Sequence, residues 1–320
     1  MNRILIILLI LLQLNCVVKP TMTKNISFTG ASFPYAEKIV ILDNQLKIAF
    51  SDTGSGENTI LFIHGLGSYS AAWKKNIESL SADFRCIAID LPGYGLSPYS
   101  ENCNTLPEYA KVVQQFISTL KLKNVTIAGH SMGGQIAVMS VLENPNIFNK
   151  LVLLAPAGFE KFSEKDKKWF ESIITKEAVK NTTPERTRFN FQVNFVNFPS
   201  DAQFMLDDRL KLSENPDFDN YCSLIPSCVL SMLDNPVFDS MSVMSIETLI
   251  IFGAEDKLIP NKFLHSNLSV QNIAESGSEQ FKRGKLVIIP ESGHFVQWEG
   301  YKIVNEQIKS FVKVKSVKTK

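Results

Sequence analysis

Short continuous apolar runs alternate with helix-like segments between residues 59 and 158, and this alternation constrains the fold more than any other feature. A continuous apolar run predicts a strand buried on both faces of a sheet. The segments between the runs have helical spacing, as in Trp73, Ile77 and Leu80. The pattern therefore predicts an α/β fold with a doubly wound, mostly parallel sheet. The apolar runs are 59–65, 84–93, 124–130 and 150–158.

The pattern is interrupted once, which divides the chain. Two strand-like runs, "AEKIVIL" and "QLKIAF", come first and predict an antiparallel edge. Strand-like runs return at 247–256 and 285–294, before a closing helix. We therefore expect an α/β core from residues 30–158 and 244–320, with residues 159–243 as a helical cap inserted between strands.

The first 16 residues, "MNRILIILLILLQLNC", predict an export signal. Nine uninterrupted apolar residues, Ile4 to Leu12, follow one arginine, and this run is far shorter than the ~20 residues of a membrane-spanning helix. "QLNC" is similar to a bacterial lipoprotein cleavage site, although Gln13 replaces the usual leucine. Lipidation of Cys16, with attachment to the membrane, and ordinary cleavage with secretion both stay open. Either outcome places the protein in the cell envelope or outside it.

Charge and cysteine content exclude several classes of function. The formal net charge is +1 and no basic block is present, so nucleic acid is not expected as a partner. Of the five cysteines, four follow Cys16, and none has metal-ligand spacing with the four histidines, so no metal is expected. Cys222 and Cys228 are close enough in sequence to be bridged in an exported protein.

The segment "AGHSMGGQIA", residues 128–137, places Ser131 between an apolar strand and a helix. A serine there lies on a sharp turn at the carboxyl end of a parallel strand, where open α/β sheets bind ligands. Gly129 and Gly133 flank it in the Gly-x-Ser-x-Gly pattern of a nucleophile elbow. The amide N–H of Met132, at the start of the helix, points where an oxyanion would form. The alternative is a serine in an ordinary tight turn.

A serine nucleophile needs a base, and histidine is the usual one. His130 adjoins the serine, but neighbours on a strand point to opposite faces. His64 is expected to shape a loop, and His265 is expected on the surface. His294 follows the strand "KLVIIP", again at a carboxyl end, and is the predicted base.

The imidazole needs an acid that fixes its tautomer and stabilises its charge. The loop "GAEDKLIP" follows a strand and lies between the serine and the histidine in sequence. It offers two candidates, Glu255 and Asp256. The order serine, acid, histidine is the order found in α/β-hydrolases.

Five motifs in order, "FIHGLG", "DLPGYGLS", "GHSMGG", "FGAEDKLIP" and "ESGH", resemble the α/β-hydrolase family. The resemblance implies that the acid lies three residues after the glycine, which is Asp256. It also implies that the amide of Leu66 joins that of Met132 in the oxyanion hole, and that no cofactor is needed. Ser131 argues against relatives with an aspartate nucleophile, namely epoxide hydrolases and haloalkane dehalogenases.

Within that family, residues 129–159 are most similar to monoacylglycerol lipases and carboxylesterases, and also to carbon–carbon hydrolases of ring-cleavage products. In the cap, Phe191, Phe195 and Phe198 are spaced i, i+4 and i+7 on one predicted helix face. This face either lines an acyl-chain pocket or packs the cap onto the sheet.

The sequence therefore predicts a serine hydrolase of lipophilic carboxylic esters, for example monoacylglycerols. Two alternatives remain. One is a carbon–carbon bond hydrolase with the same triad, and the other is a non-catalytic surface binding protein on a hydrolase scaffold.

Overall fold

The computed structural model of the chain describes residues 37–313, and within this range eight strands form one sheet. The spatial order is β1-β2-β4-β3-β5-β6-β7-β8, and the predicted mostly parallel sheet is confirmed. β1 and β2 form the predicted antiparallel edge, and every other pairing except β2 with β4 is parallel. The strands are β1 Glu37–Ile41, β2 Lys47–Thr53, β3 Thr59–Ile63, β4 Arg85–Ile89, β5 Val125–His130, β6 Phe148–Leu154, β7 Glu247–Gly253 and β8 Gly284–Ile289.

Six helices of the described residues belong to the part of the chain around the sheet, and they cover both of its faces. Successive side chains of β3 alternate between the two cores, with Ile60 and Phe62 on one side and Leu61 and Ile63 on the other. α1 and α11 cover the first side, and α2, α3 and α9 cover the second. The helices are α1 Lys74–Leu80, α2 Leu106–Thr119, α3 Met132–Glu143, α9 Val270–Ser278, α10 Val296–Glu299 and α11 Tyr301–Lys313.

The segment between β6 and β7 contains five helices, and we call it the cap. Part of it is fixed to the segment after β8, because the Glu299 carboxylate accepts hydrogen bonds from the amides of Val196 and Asn197. The Trp298 indole also donates to Asp201, at 2.8 Å. The cap helices are α4 Glu164–Ile173, α5 Lys176–Lys180, α6 Pro184–Gln192, α7 Gln203–Lys211 and α8 Phe218–Asp234.

The expected helix through Phe191, Phe195 and Phe198 is wrong, because α6 ends at Gln192. The Val196 amide donates to Glu299 rather than to a carbonyl one helical turn back. The three rings nevertheless pack together, with Phe195 and Phe198 centroids 5.4 Å apart. Phe195 is buried against Phe295, so this part of the cluster packs the cap onto the core.

The bridge considered between Cys222 and Cys228 is also wrong. Both residues lie on α8, six positions apart, and both are free thiols. A helix turns by about 100° per residue, so six positions place the two side chains on different faces. The Tyr94 hydroxyl lies 3.4 Å from the Cys228 sulfur.

The predicted export signal, residues 1–16, and the lipidation candidate Cys16 lie outside the described residues. Across residues 37–313, no helix is both long enough and apolar enough to span a bilayer.

Candidate active site

Ser131 lies in the sharp turn between β5 and α3, in a conformation that non-glycine residues rarely adopt. Its φ is +52° and its ψ is −121°. The turn is held at both ends, since the Ser131 amide donates to Leu154 and its carbonyl accepts from Gly134 and Ala157. The backbone strain is therefore sustained by the adjacent strand and helix, and it presents the hydroxyl above the sheet.

Both glycines of the motif are required by close backbone approach. A Cβ atom at Gly129 would lie 2.2 Å from the Gly133 carbonyl oxygen. A Cβ atom at Gly133 would lie 2.4 Å from the oxygen of Ile63 at the end of β3. The elbow can thus fold onto β3 only with glycine at these two positions.

Asp256 and His294 are brought together from the loops that follow β7 and β8. The His294 Nδ1–H donates to Asp256 Oδ2 at 2.8 Å, and both residues are buried. The other carboxylate oxygen accepts from the amides of Leu258 and Ile259. Glu255 is exposed, so the buried partner of the imidazole is Asp256.

Ser131 and His294 line one cavity of about 660 Å³. Among the described residues, no hydrogen bond joins the Ser131 hydroxyl to the imidazole. Such bonds often form only when substrate is bound. Because Nδ1 carries the proton given to Asp256, Nε2 is the nitrogen left to act as a base.

The Leu66 and Met132 amides are available to bind an oxygen atom. Within residues 37–313, neither N–H has a hydrogen-bond partner. Met132 is the first residue of α3, where amide groups have no acceptor inside the helix. Leu66 lines the same cavity as Ser131.

Two other histidines support the loops of the site, and one of them, His130, also lines the cavity. The His130 Nε2–H donates to the His294 backbone oxygen at 2.9 Å, so it helps to place that loop, and burial lowers its pKa well below the usual value. His64 Nε2 accepts the Leu91 amide at 3.0 Å, and its Nδ1–H donates to Gly65. His64 thus holds the loop after β3, as expected, and burial lowers its pKa to about 4.

His265 departs from the expectation of a surface histidine. Its Nδ1 lies 2.5 Å from the buried Glu160 carboxylate. That carboxylate also accepts the Asn261 amide with both oxygens. The pair therefore joins the loop that carries Asp256 to the segment after β6.

A second cavity of about 530 Å³ adjoins the first, and the two share the lining residues Leu66, Ser68 and Phe295. Of the three cap phenylalanines, Phe191 lines this second cavity, whereas Phe195 is buried and Phe198 lines neither of the two.

Arg209 also lines the second cavity, and sequence reasoning missed it. Its guanidinium lies 4.6 Å from the centre of the Tyr221 ring and donates to the Gly67 carbonyl at 3.4 Å. No carboxylate within residues 37–313 forms a salt bridge with it, and burial lowers its pKa to about 10. The sequence contained no signal for this position, because Arg209 is a single arginine in a segment with several other charged residues.

The comparison with known protein families agrees with this geometry. The family model described as alpha/beta hydrolase fold matches residues 58–301. The chain therefore belongs to the α/β-hydrolase family, and it is a hydrolase.

Individual relatives are distant. A 2-hydroxy-6-oxononadienedioate/2-hydroxy-6-oxononatrienedioate hydrolase of Cupriavidus pinatubonensis is 24% identical over 286 residues, covering 84% of this chain and 92% of its own. An esterase from Exiguobacterium antarcticum superimposes with a TM-score of 0.73 at 23% identity, covering 87% of this chain and 100% of its own. A meta-cleavage product hydrolase from Pseudomonas fluorescens gives 0.68 at 22% identity, covering 86% and 96%. The two structures show the shared fold.

The contact between Gly133 and β3 predicts the effect of Gly133→Ala. The added methyl group would collide with the backbone of Ile63 and His64, so we expect a loss of about 1–3 kcal/mol in the free energy of unfolding. Urea denaturation measures it. Gly300→Ala is the matched control, because its nearest neighbour is the side-chain oxygen of Ser292, at 3.0 Å. An equal loss of stability in both variants would contradict the conclusion that close approach to β3 requires glycine at position 133.

Burial of His64 predicts acid sensitivity. A histidine whose pKa falls from 6.5 to about 4 on folding stabilises the protein above pH 6.5. That contribution, about 3 kcal/mol, is lost as the pH falls towards 4. Urea denaturation at several pH values should therefore show that His64→Asn loses less stability than the wild type between pH 6.5 and 4. Parallel pH profiles for the two proteins would contradict this account.

Proposed function

We propose that this protein hydrolyses lipophilic carboxylic esters, with Ser131 as nucleophile, His294 as base and Asp256 as the acid that orients it. One observation carries the proposal. His294, paired with the buried Asp256 carboxylate, lines the cavity into which a strained elbow presents Ser131, next to two amides that have no hydrogen-bond partner within residues 37–313. Nucleophile, base and oxyanion donors are the parts that acyl transfer needs.

In the proposed mechanism, His294 Nε2 takes the proton as the Ser131 oxygen attacks the ester carbonyl carbon. The Asp256 carboxylate stabilises the imidazolium that forms. Collapse of the tetrahedral intermediate breaks the bond to the alcohol, which leaves with the proton from His294. Water then attacks the acyl-enzyme by the same sequence and releases the carboxylic acid.

The two amides stabilise the negative oxygen of each tetrahedral intermediate. Both are in place before substrate arrives, Leu66 on the loop after β3 and Met132 at the start of α3. Preorganised donors of this kind contribute about 3–4 kcal/mol each to the barrier reduction.

The composition of the cavity supports a lipophilic substrate. Its wall in the cap is largely apolar, and an apolar acyl or alcohol group gains about 25 cal/mol for each Å² removed from water. The residues that form this wall include Phe162, Phe170, Val229, Met232, Leu233 and Phe238. The esterase of Exiguobacterium antarcticum, which has the same fold, adds support.

Turnover of p-nitrophenyl esters from acetate to palmitate tests the proposal. We expect a maximum at one chain length, set by the cavity, and a fall of at least about 1,000-fold in kcat for Ser131→Ala. Asp256→Asn tests the acid. Glu255→Gln is its matched control, because of these two neighbouring carboxylates Asp256 is the one that contacts the imidazole. Absence of turnover at every length by folded protein would overturn ester hydrolysis and would favour the binding-protein alternative or carbon–carbon cleavage.

A second candidate function is carbon–carbon bond hydrolysis of an anionic ring-cleavage product, and Arg209 is the observation that favours it. The named substrates of the Cupriavidus relative are dicarboxylates. Within residues 37–313 the Arg209 guanidinium forms no salt bridge with a carboxylate, and it lines a cavity next to the loop that carries Leu66, so it suits such a group.

Arg209→Gln separates the two candidates. Paired substrates, p-nitrophenyl hexanoate and the mono-p-nitrophenyl ester of adipic acid, differ only in a terminal carboxylate. If Arg209 binds an anionic substrate group, the variant should raise KM for the charged ester about tenfold and leave the neutral ester within about twofold. Equal effects on both esters would contradict this role and leave the neutral ester as the substrate class.

We also propose that residues 1–16 direct export, with Cys16 as the point of attachment if it is lipidated. An envelope location suits an ester hydrolase better than a catabolic carbon–carbon hydrolase, which usually acts in the cytoplasm.

A further inference from the structure

The loop that carries Leu66 lies in irregular chain between β3 and the helical turn at Ser70–Trp73. Its own backbone supplies one hydrogen bond, from the Ser68 amide to the Gly65 carbonyl. Its far end is fixed by Asp90, whose carboxylate accepts the Ser70 amide at 2.7 Å. Gly67, in between, has a φ of +64°. The middle of the loop therefore depends on contacts from outside.

Two of those contacts come from α7 of the cap. The Tyr69 hydroxyl donates to Asp208 Oδ2 at 2.6 Å, and Asp208 is 4% exposed. The next residue, Arg209, donates to the Gly67 carbonyl. Asp208 and Arg209 are neighbours on α7, and they bind two residues that follow Leu66 in this loop. Asp208 binds Tyr69, and Arg209 binds Gly67.

The Tyr69–Asp208 bond is of a strong type. A hydroxyl that donates to a carboxylate makes a short, charge-assisted bond, about twice as strong as a neutral one. Burial and the Asp208 carboxylate both raise the pKa of Tyr69 far above its usual value. The hydroxyl therefore keeps its proton, and donates it, throughout the range in which a histidine base works.

We propose that Tyr69 and Asp208 are positioning residues that hold the Leu66 amide at the distance an oxyanion requires. The packing of the cap against this loop then completes the oxyanion hole. This inference rests on the proposed function of Ser131 as an acylated nucleophile. An oxyanion donor displaced by about 1 Å loses much of its effect. The bond should therefore affect the transition state more than substrate binding.

Tyr69→Phe and Asp208→Asn test the proposal from both ends of the bond, and only the second changes the charge. Asp207→Asn is the matched control, because Asp207 precedes Asp208 on α7 but is exposed. The measurements are kcat and KM for the best p-nitrophenyl ester, and the second-order rate at which an alkyl fluorophosphonate labels Ser131. In that labelling the serine oxygen displaces fluoride while the phosphoryl oxygen occupies the oxyanion hole.

We expect each variant to lower kcat about 10- to 100-fold, with KM within about threefold, and to slow labelling by a similar factor. The double variant should be no slower than the slower single one, because both remove one bond. Asp207→Asn should match the wild type. If Asp208→Asn does not fold, Tyr69→Phe alone decides.

Wild-type rates in Tyr69→Phe would overturn the proposal, as would a rise in KM at constant kcat. The labelling rates distinguish failure of the proposal for Tyr69 and Asp208 from failure of the proposed ester hydrolysis. Wild-type protein that is labelled but hydrolyses no ester contradicts ester hydrolysis, while the labelling rates of the variants still decide the role of Tyr69. Wild-type protein that is not labelled at Ser131 overturns both.

Discussion

The close approach of the Ser131 turn to β3 is the constraint on which the rest of the site depends. Gly133 lies so near the backbone of Ile63 that no side chain fits between them. This contact places the start of α3 beside the loop after β3. Leu66 therefore lines the same cavity as Ser131, whose neighbour Met132 begins α3, although Leu66 and Met132 are separated by 66 positions in sequence. The strained backbone of Ser131 and the close packing of Gly133 both follow from the approach of this turn to β3.

The cap acts on the site through the loops that carry it. Glu160 binds the loop that follows Asp256, Asn194 accepts the Phe295 amide beside His294, and α7 binds the loop of Leu66. Each loop leaves the carboxyl end of a different strand and has little regular structure of its own. The sheet thus sets where the loops begin, and the cap sets where their functional atoms lie. The cap therefore contacts each of the three loops that carry the candidate site.

The sheet, its antiparallel edge and the nucleophile elbow could be predicted because their signals are local, whereas the choice of Asp256 over Glu255 came from the resemblance to a family. Buried strands appear as apolar runs, and the elbow appears as glycines at fixed spacing. The cap was less predictable because distant groups decide its structure. Beyond the end of α6 at Gln192, the Val196 and Asn197 amides donate to the distant Glu299 carboxylate, and helical phase separates Cys222 from Cys228. Nothing in the sequence pointed to Arg209, because the role of an arginine depends on which cavity its side chain lines.

The central claim is that Ser131 becomes covalently acylated during turnover. Mixing the protein with a p-nitrophenyl ester, stopping the reaction with acid within milliseconds and mapping peptides by mass spectrometry tests it directly. Acylation of Ser131 predicts the mass of the acyl group on the peptide that contains this residue, and its absence in Ser131→Ala. An acyl group trapped on another residue instead of Ser131 would contradict the claim.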